Sequence, residues 1–336
     1  MESRIRLILL AALGLLSPLG CGGEGPQTVI RVEGSDTMVN VAQAWAEQYR
    51  KTHPHISLQV LGGGSGVGIA SLIDGNCDLA NTSRKMKENE IARARANRHG
   101  EPMEHVVGYD ALAVFVHKDN PLNEISIEEL AEIYGERGRI TTWSQLLGTS
   151  LPNGSDKIVR VNRQNSSGTY DYFRDVVLGA QRDFKLGSVD PSGSKDVVTL
   201  ISWTPSAIGY SGIGCRTDGV KVLALARCKG QPAIPPTVEN AQSGTYPITR
   251  PLQIYTVGSP TGHIGEYLDW IRSTDGQKVV LALGYAPIPE RNVGARSTGG
   301  DRQPQQPARE KPSTEPTRAT STRSAIPVRA VAHKPQ

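Results

Sequence analysis

The chain has 336 residues, of which 38% are hydrophobic and 21% charged, with a formal net charge of +4 and four cysteines. That length is sufficient for two lobes of ordinary domain size. The positive charge is local: residues 291–336 carry nine basic and three acidic side chains, residues 1–20 add a little more, and the remainder is slightly acidic, so the composition excludes a basic nucleic-acid-binding body.

Chain order begins with Arg4 and Arg6, then an apolar run from Leu7 to Leu16 that ends in Ser17, Pro18, Leu19, Gly20 and Cys21. This is the layout of a secretory signal over residues 1–20. The run is well short of the ~20 residues that a permanent span needs, which favours export with cleavage over a membrane helix. Cys21 directly after Gly20 resembles a bacterial lipobox, although Pro18 stands where a leucine is usual. The lipobox implies lipidation of Cys21, a membrane anchor and a location in the periplasm or at the cell surface; the alternative is an ordinary signal with Cys21 incidental. No later run is long and apolar enough to read as a membrane helix.

Beyond the signal, strand and helix signals alternate, which points to an α/β fold. Strands are expected at 28–32, 56–61, 78–81, 106–116, 158–161, 208–211, 220–225 and 253–256. Helices are expected at 37–52, 68–73, 87–98, 127–134, 168–177, 196–203 and 264–273, the first with Met38, Val41, Ala42, Trp45 and Tyr49 on one face. From 291 to 336 the chain is rich in Arg, Pro, Ser and Thr and cannot bury enough apolar surface to offset its ordering entropy, so a disordered tail is expected. Of the remaining cysteines, Cys77 reads as buried and unreactive, and a Cys215–Cys228 disulfide is open in an oxidising compartment. No spacing resembles a metal site, and no metal or cofactor is expected.

Hydroxyls, glycines and arginines concentrate at four strand-to-helix turns: Gly34-Ser35-Asp36-Thr37, Gly62 to Gly68 with Ser65 at its centre, Asn81-Thr82-Ser83-Arg84, and Arg163-Gln164-Asn165-Ser166-Ser167-Gly168-Thr169. Each alone reads as capping and turn chemistry. Together they supply small, rigid donors and helix N-termini, as a dehydrated tetrahedral oxyanion requires. The glycine-rich turn lacks the G-x-G-x-x-G spacing and no G-K-[ST] follows, which argues against a nucleotide. A secreted phosphatase or hydrolase would need an activated nucleophile or a metal cluster; the scattered histidines form no H-E-x-x-H, and no G-x-S-x-G elbow occurs.

Gly-Ser-Asp-Thr-Met at 34–38, Gly-Gly-Gly-Ser-Gly-Val-Gly-Ile at 62–69, Asp-Leu-Ala-Asn-Thr-Ser-Arg at 78–84, Arg-Gln-Asn-Ser-Ser-Gly-Thr at 163–169 and Ala-Ile-Gly-Tyr at 207–210 resemble the periplasmic phosphate-binding component of bacterial phosphate ABC transporters. The likeness runs over about 27–290. It implies a two-lobed, type II periplasmic-binding fold with ligand in the cleft between lobes, one lobe from 27–108 plus 248–290 and the other from 109–247, with crossings near 108–111 and 245–251. It also implies phosphate ligands at Thr37 and Ser65 on one side and Arg163, Ser167, Gly168 and Thr169 on the other. Some members place a carboxylate where Ser83 stands to accept the proton of hydrogen phosphate; here Ser83 itself, Asp36 or Asp171 is open for that role. Ser35, Asp36 and Arg84 are further candidates, Arg84 as added charge or as a bridge between lobes. The implied activity is high-affinity phosphate binding by a monomer that delivers to membrane permease and ATPase components, without catalysis. Another oxyanion such as sulfate or molybdate, or a sensor on the same fold, remains the alternative.

Overall fold

Strict alternation along Thr28–Gly34 sets Ile30, Val32 and Gly34 inward, while Val29 and Arg31 face out, the pattern of a strand with one face buried. In the computed structural model, which describes residues 27–152, 155–179 and 182–289, this segment is β1. The expected signal and lipidated Cys21, and the expected tail at 291–336, lie outside the described residues.

The first part of the chain continues with α1 (Val39–Thr52), β2 (Ile56–Leu61), α2 (Ser65–Asp74), β3 (Leu79–Thr82) and α3 (Glu88–Arg98). A long strand β4 (Pro102–His117) follows, then β5 (Glu124–Ser126), α4 (Ile127–Tyr134), α5 (Ser144–Leu147), β6 (Val159–Val161) and α6 (Gly168–Phe173), which runs on into a π-helical turn at Arg174–Leu178. The chain ends its described course through α7 (Ser194–Trp203), β7 (Ala207–Gly212), β8 (Val220–Val222), β9 (Ala224–Ala226), α8 (Val238–Gln242), β10 (Thr249–Val257), α9 (Gly262–Arg272) and α10 (Thr274–Ala282).

One sheet takes the order β2-β1-β3-β10-β4-β7-β6, with β8 also paired to β4. β1 is parallel to β2 and β3, β10 is antiparallel to β3 and β4, and β6 is parallel to β7. β4 pairs with β10 up to Ala111 and with β7 from Leu112 onward. Its two halves therefore serve two different cores. Around the first, Ile30, Val32, Trp45, Tyr49, Val107, Ile254 and Tyr267 pack together, with Ile69, Leu72 and Ala80 on the opposite face. Around the second, Leu112, Val114, Leu130, Trp143, Phe173 and Tyr210 form one cluster, and Ala113, Phe115, Val198 and Ile201 form another across the sheet. The result is a mixed α/β fold on one central sheet, in which β4 and β10 run from the first group of cores into the second. Within this strand pair Thr249 faces Ala111 and Arg250 faces Asp110.

Most elements fall where expected, and the differences have identifiable causes. α2 starts at Ser65, inside the glycine-rich turn, and stops at Gly75 in a left-handed conformation (φ 79°). The expected strand at 220–225 is two, because β8 pairs with β4 while β9 turns away to pair with β5. α10 was hidden by the turn-like Thr-Asp-Gly-Gln; Gly276 sits where a Cβ would lie 2.2 Å from the Ile271 carbonyl oxygen, and its own carbonyl accepts from Trp45 Nε1 at 2.8 Å. The open disulfide is not present: Cys215 is buried beside Val197 and Val220, Cys228 is exposed, and both are free thiols. Burial pushes the thiols of Cys77 and Cys215 up to about 11, which suits unreactive core positions. Among the described residues no helix is long and apolar enough to cross a membrane.

Candidate functional site

The first and third turns are brought together by β1 and β3. Gly34 takes φ +137°, and a Cβ there would lie 2.2 Å from the Asn81 carbonyl oxygen, so only glycine permits this approach. Ser35 N–H donates to that same oxygen at 2.8 Å. The closeness carries the Ser35 hydroxyl to Ser83 Oγ (3.0 Å), while Ser65 Oγ, from the second turn, accepts from Ser83 N–H (3.0 Å) and lies 3.4 Å from Ser83 Oγ. Ser35, Ser65 and Ser83 are buried, so three hydroxyls from three turns form one buried chain.

The fourth turn enters between β6 and α6. Ser167 caps α6 by accepting from Thr169 N–H at 3.1 Å, which commits its oxygen to the helix start. Thr169 Oγ1 lies 3.1 Å from Thr37 Oγ1, and the missing Cβ of Gly168 would stand 2.3 Å from Ser65 Oγ. Gly66 N–H donates to the Ser166 carbonyl at 2.9 Å. Four turns thus meet at one point.

Two buried arginines flank that point. Arg163, 1% exposed, donates through Nη2 to Asp36 Oδ2 (2.8 Å) and the Ser192 carbonyl (2.6 Å), and through Nη1 to Ser194 Oγ (2.8 Å). Burial pulls its pKa below the ordinary arginine value, and the Asp36 carboxylate opposes the shift. Asp36 also accepts from Gly63 N–H at 2.9 Å. Arg250, which the motifs do not contain, donates through Nε (3.0 Å) and Nη2 (2.8 Å) to Asp110 Oδ2, and both side chains are fully buried. Ser194 Oγ lies 3.4 Å from Thr37 Oγ1.

Ser35, Asp36, Thr37, Ser65, Ser83, Arg163, Gly168 and Thr169 are therefore brought together, with Ser167 behind them as a cap. Arg84 is not among them. It forks onto Glu90 (2.8 and 2.7 Å), and its Nε lies 2.8 Å from Asp171 Oδ2 with the carboxylate off the N–H axis, an ion pair to α6 rather than a hydrogen bond. Asp171 also meets Lys87 at 3.1 Å and so belongs to this bridge. The motifs missed Asp110, Arg250 and Ser194. A carboxylate in the middle of the apolar run 106–116 was a signal, since a buried charge needs a partner, but which cation answers it depends on the β4–β10 register. Among the described residues no group of three or more His, Cys, Asp or Glu is placed to hold a metal ion.

The arrangement gathers several hydroxyls and two guanidinium groups in one buried place. A PBP superfamily domain matches residues 22–275. The phosphate-binding protein PstS of Pseudomonas aeruginosa is 35% identical over 268 residues, covering 77% of this chain and 82% of that one. A phosphate-bound solved structure from Clostridium perfringens superposes with a TM-score of 0.68 at 25% identity, covering 78% of this chain and all of the other. An ABC-type phosphate transport receptor from Vibrio cholerae gives 0.59 at 26% identity, over 77% and 100% of the two chains. On fold, motifs and these likenesses together, the chain belongs to the PBP superfamily and, within it, to the substrate-binding proteins of bacterial phosphate ABC transporters.

Proposed function

We propose that this protein binds inorganic phosphate outside the cytoplasm, in a cleft between its two lobes, and hands it to the permease and ATPase components of an ABC transporter. The observation that carries this reading is the meeting of Thr37, Ser65, Ser83, Thr169 and the Arg163 guanidinium at one place, supplied by turns distant in sequence. Thr37, Ser65 and Ser83 contribute from a lobe of 27–108 plus 248–290, and Arg163, Ser167, Gly168 and Thr169 from a lobe of 109–247. Ser35 orients Ser83, Asp36 orients Arg163, and Arg84 ties the lobes through Asp171. A phosphate oxygen carries two or more lone pairs, and short donors with little rotamer freedom satisfy them at small entropic cost.

Discrimination against sulfate needs an acceptor for the proton of hydrogen phosphate. Ser83 Oγ takes a proton from Ser35 on one lone pair and keeps the other for the ligand; Asp36 accepts from Gly63 and Arg163 and has lone pairs to spare. A monomer tethered through lipidated Cys21 completes the reading, and the bound ion leaves chemically unchanged. Calorimetric titration of the mature protein with phosphate, sulfate and molybdate is the test. Phosphate binding at least tenfold tighter than sulfate is expected; no phosphate binding overturns the proposal, and equal affinities reduce the protein to a general oxyanion binder.

A further inference from the structure

We propose that Arg250, held by Asp110 on the strand pair joining the lobes, is the positioning residue that fixes the hydroxyls of Thr37 and Thr169 as a matched pair of donors to one anion. The inference rests on the phosphate reading above and concerns residues that none of the sequence motifs contains.

Arg250 Nη2 reaches three oxygens: Asp110 Oδ2 at 2.8 Å, Thr169 Oγ1 at 3.0 Å and Thr37 Oγ1 at 3.2 Å. It has two hydrogens. One goes to the carboxylate, and the other is forked between two hydroxyls that are themselves 3.1 Å apart. A hydroxyl has one proton and two lone pairs, so an N–H resting on the oxygen directs the proton elsewhere. Thr37 and Thr169 also hydrogen-bond each other, either one donating, and with Arg250 occupying a lone pair on each, a single acceptor placed between them can draw both protons to itself.

The guanidinium has little freedom to do otherwise. Asp110 Oδ2 accepts from Nε as well as Nη2, and Asp110 Oδ1 is fixed by Ile213 N–H at 3.0 Å. Nη1 lies 3.4 Å from the Ser83 carbonyl, and the ring of Tyr172, one turn along α6 from Thr169, lies under the guanidinium carbon at 5.7 Å. Gly212 keeps the space: a Cβ there would stand 2.6 Å from Thr37 Cγ2 and 3.0 Å from Asp110 Oδ2. Since Asp110 neutralises the charge, the contribution of Arg250 is direction rather than long-range attraction.

The test measures phosphate affinity by calorimetry in wild type, Arg250→Lys, and the neutral pair Arg250→Gln with Asp110→Asn, each with and without Thr169→Val; melting of the ligand-free proteins reports folding. Lysine keeps the charge but lacks the planar fork, and the neutral pair leaves no uncompensated buried ion, so a folded form is available for either route. Both changes should lower affinity at least tenfold in the wild-type background and at least threefold less in the Thr169→Val background, because part of what Arg250 positions is then gone. Unchanged affinity in a folded variant, or the same loss in both backgrounds, overturns the positioning role. A wild-type protein that binds no phosphate overturns instead the function on which the role rests.

Discussion

Replacing Gly168 by alanine should part the lobes without harming either. The added Cβ would lie 2.3 Å from Ser65 Oγ, 2.8 Å from Ser83 Oγ and 2.9 Å from Ser65 Cβ, whereas ordinary contact begins at 3.4 Å. About 1 Å of separation is therefore required, and it cannot come from a flexible side chain, because Ser65 and Ser83 are buried and bonded to each other. A shift of that size takes the Gly168–Thr169 turn out of hydrogen-bond reach of an ion held by Thr37 and Ser65. Two neutral hydrogen bonds at a net 0.5–1.5 kcal/mol each give a loss of about 1–3 kcal/mol, or roughly 5- to 150-fold in Kd. Calorimetry with phosphate reads the loss, and the melting midpoint of the ligand-free variant should stay near that of wild type, since alanine suits the first turn of α6 and the buried Phe173 packing is unchanged. A Kd within threefold of wild type would show that the ligand does not need Gly168 and Ser65 so close, and the two-sided site would be refuted.

Arg163→Ala should weaken phosphate binding at least tenfold, because a charge-assisted hydrogen bond contributes about 1.5–3 kcal/mol, and it should also lower the melting midpoint by leaving Asp36 without its partner; undiminished affinity in the folded variant removes Arg163 from the site. Asp36→Asn should narrow the gap between phosphate and sulfate if this carboxylate accepts the ligand's proton, and a gap that survives the change assigns the acceptor to Ser83. Small-angle scattering should show a more compact particle when phosphate is added, as an ion shared between lobes favours the closed arrangement; an unchanged radius of gyration contradicts closure. Cys21→Ser should release the protein from the membrane fraction, and membrane association that persists would rule out a lipid anchor at that residue.

Much of the candidate site was legible because its parts are local. Each of the four turns is a run of fewer than ten residues whose glycines, hydroxyls and helix starts announce a strand-to-helix turn, and Ser35, Asp36, Thr37, Ser65, Ser83, Arg163, Gly168 and Thr169 all lie within them. The alternation of β1 and the apolar face of α1 are equally local, since period 2 and period 3.6 are written in neighbouring residues. Tertiary structure decided what depends on pairing between distant segments. The strand expected at 220–225 splits because its two halves find different partners, and Cys215 and Cys228 stay apart because one is drawn into a core while the other is left on the surface. Asp110 and Arg250 stand 140 residues apart, and nothing near either names the other. Only the antiparallel register of β4 and β10 sets them opposite each other, and a shift of one residue would turn Arg250 to the other face of the sheet, away from both threonines.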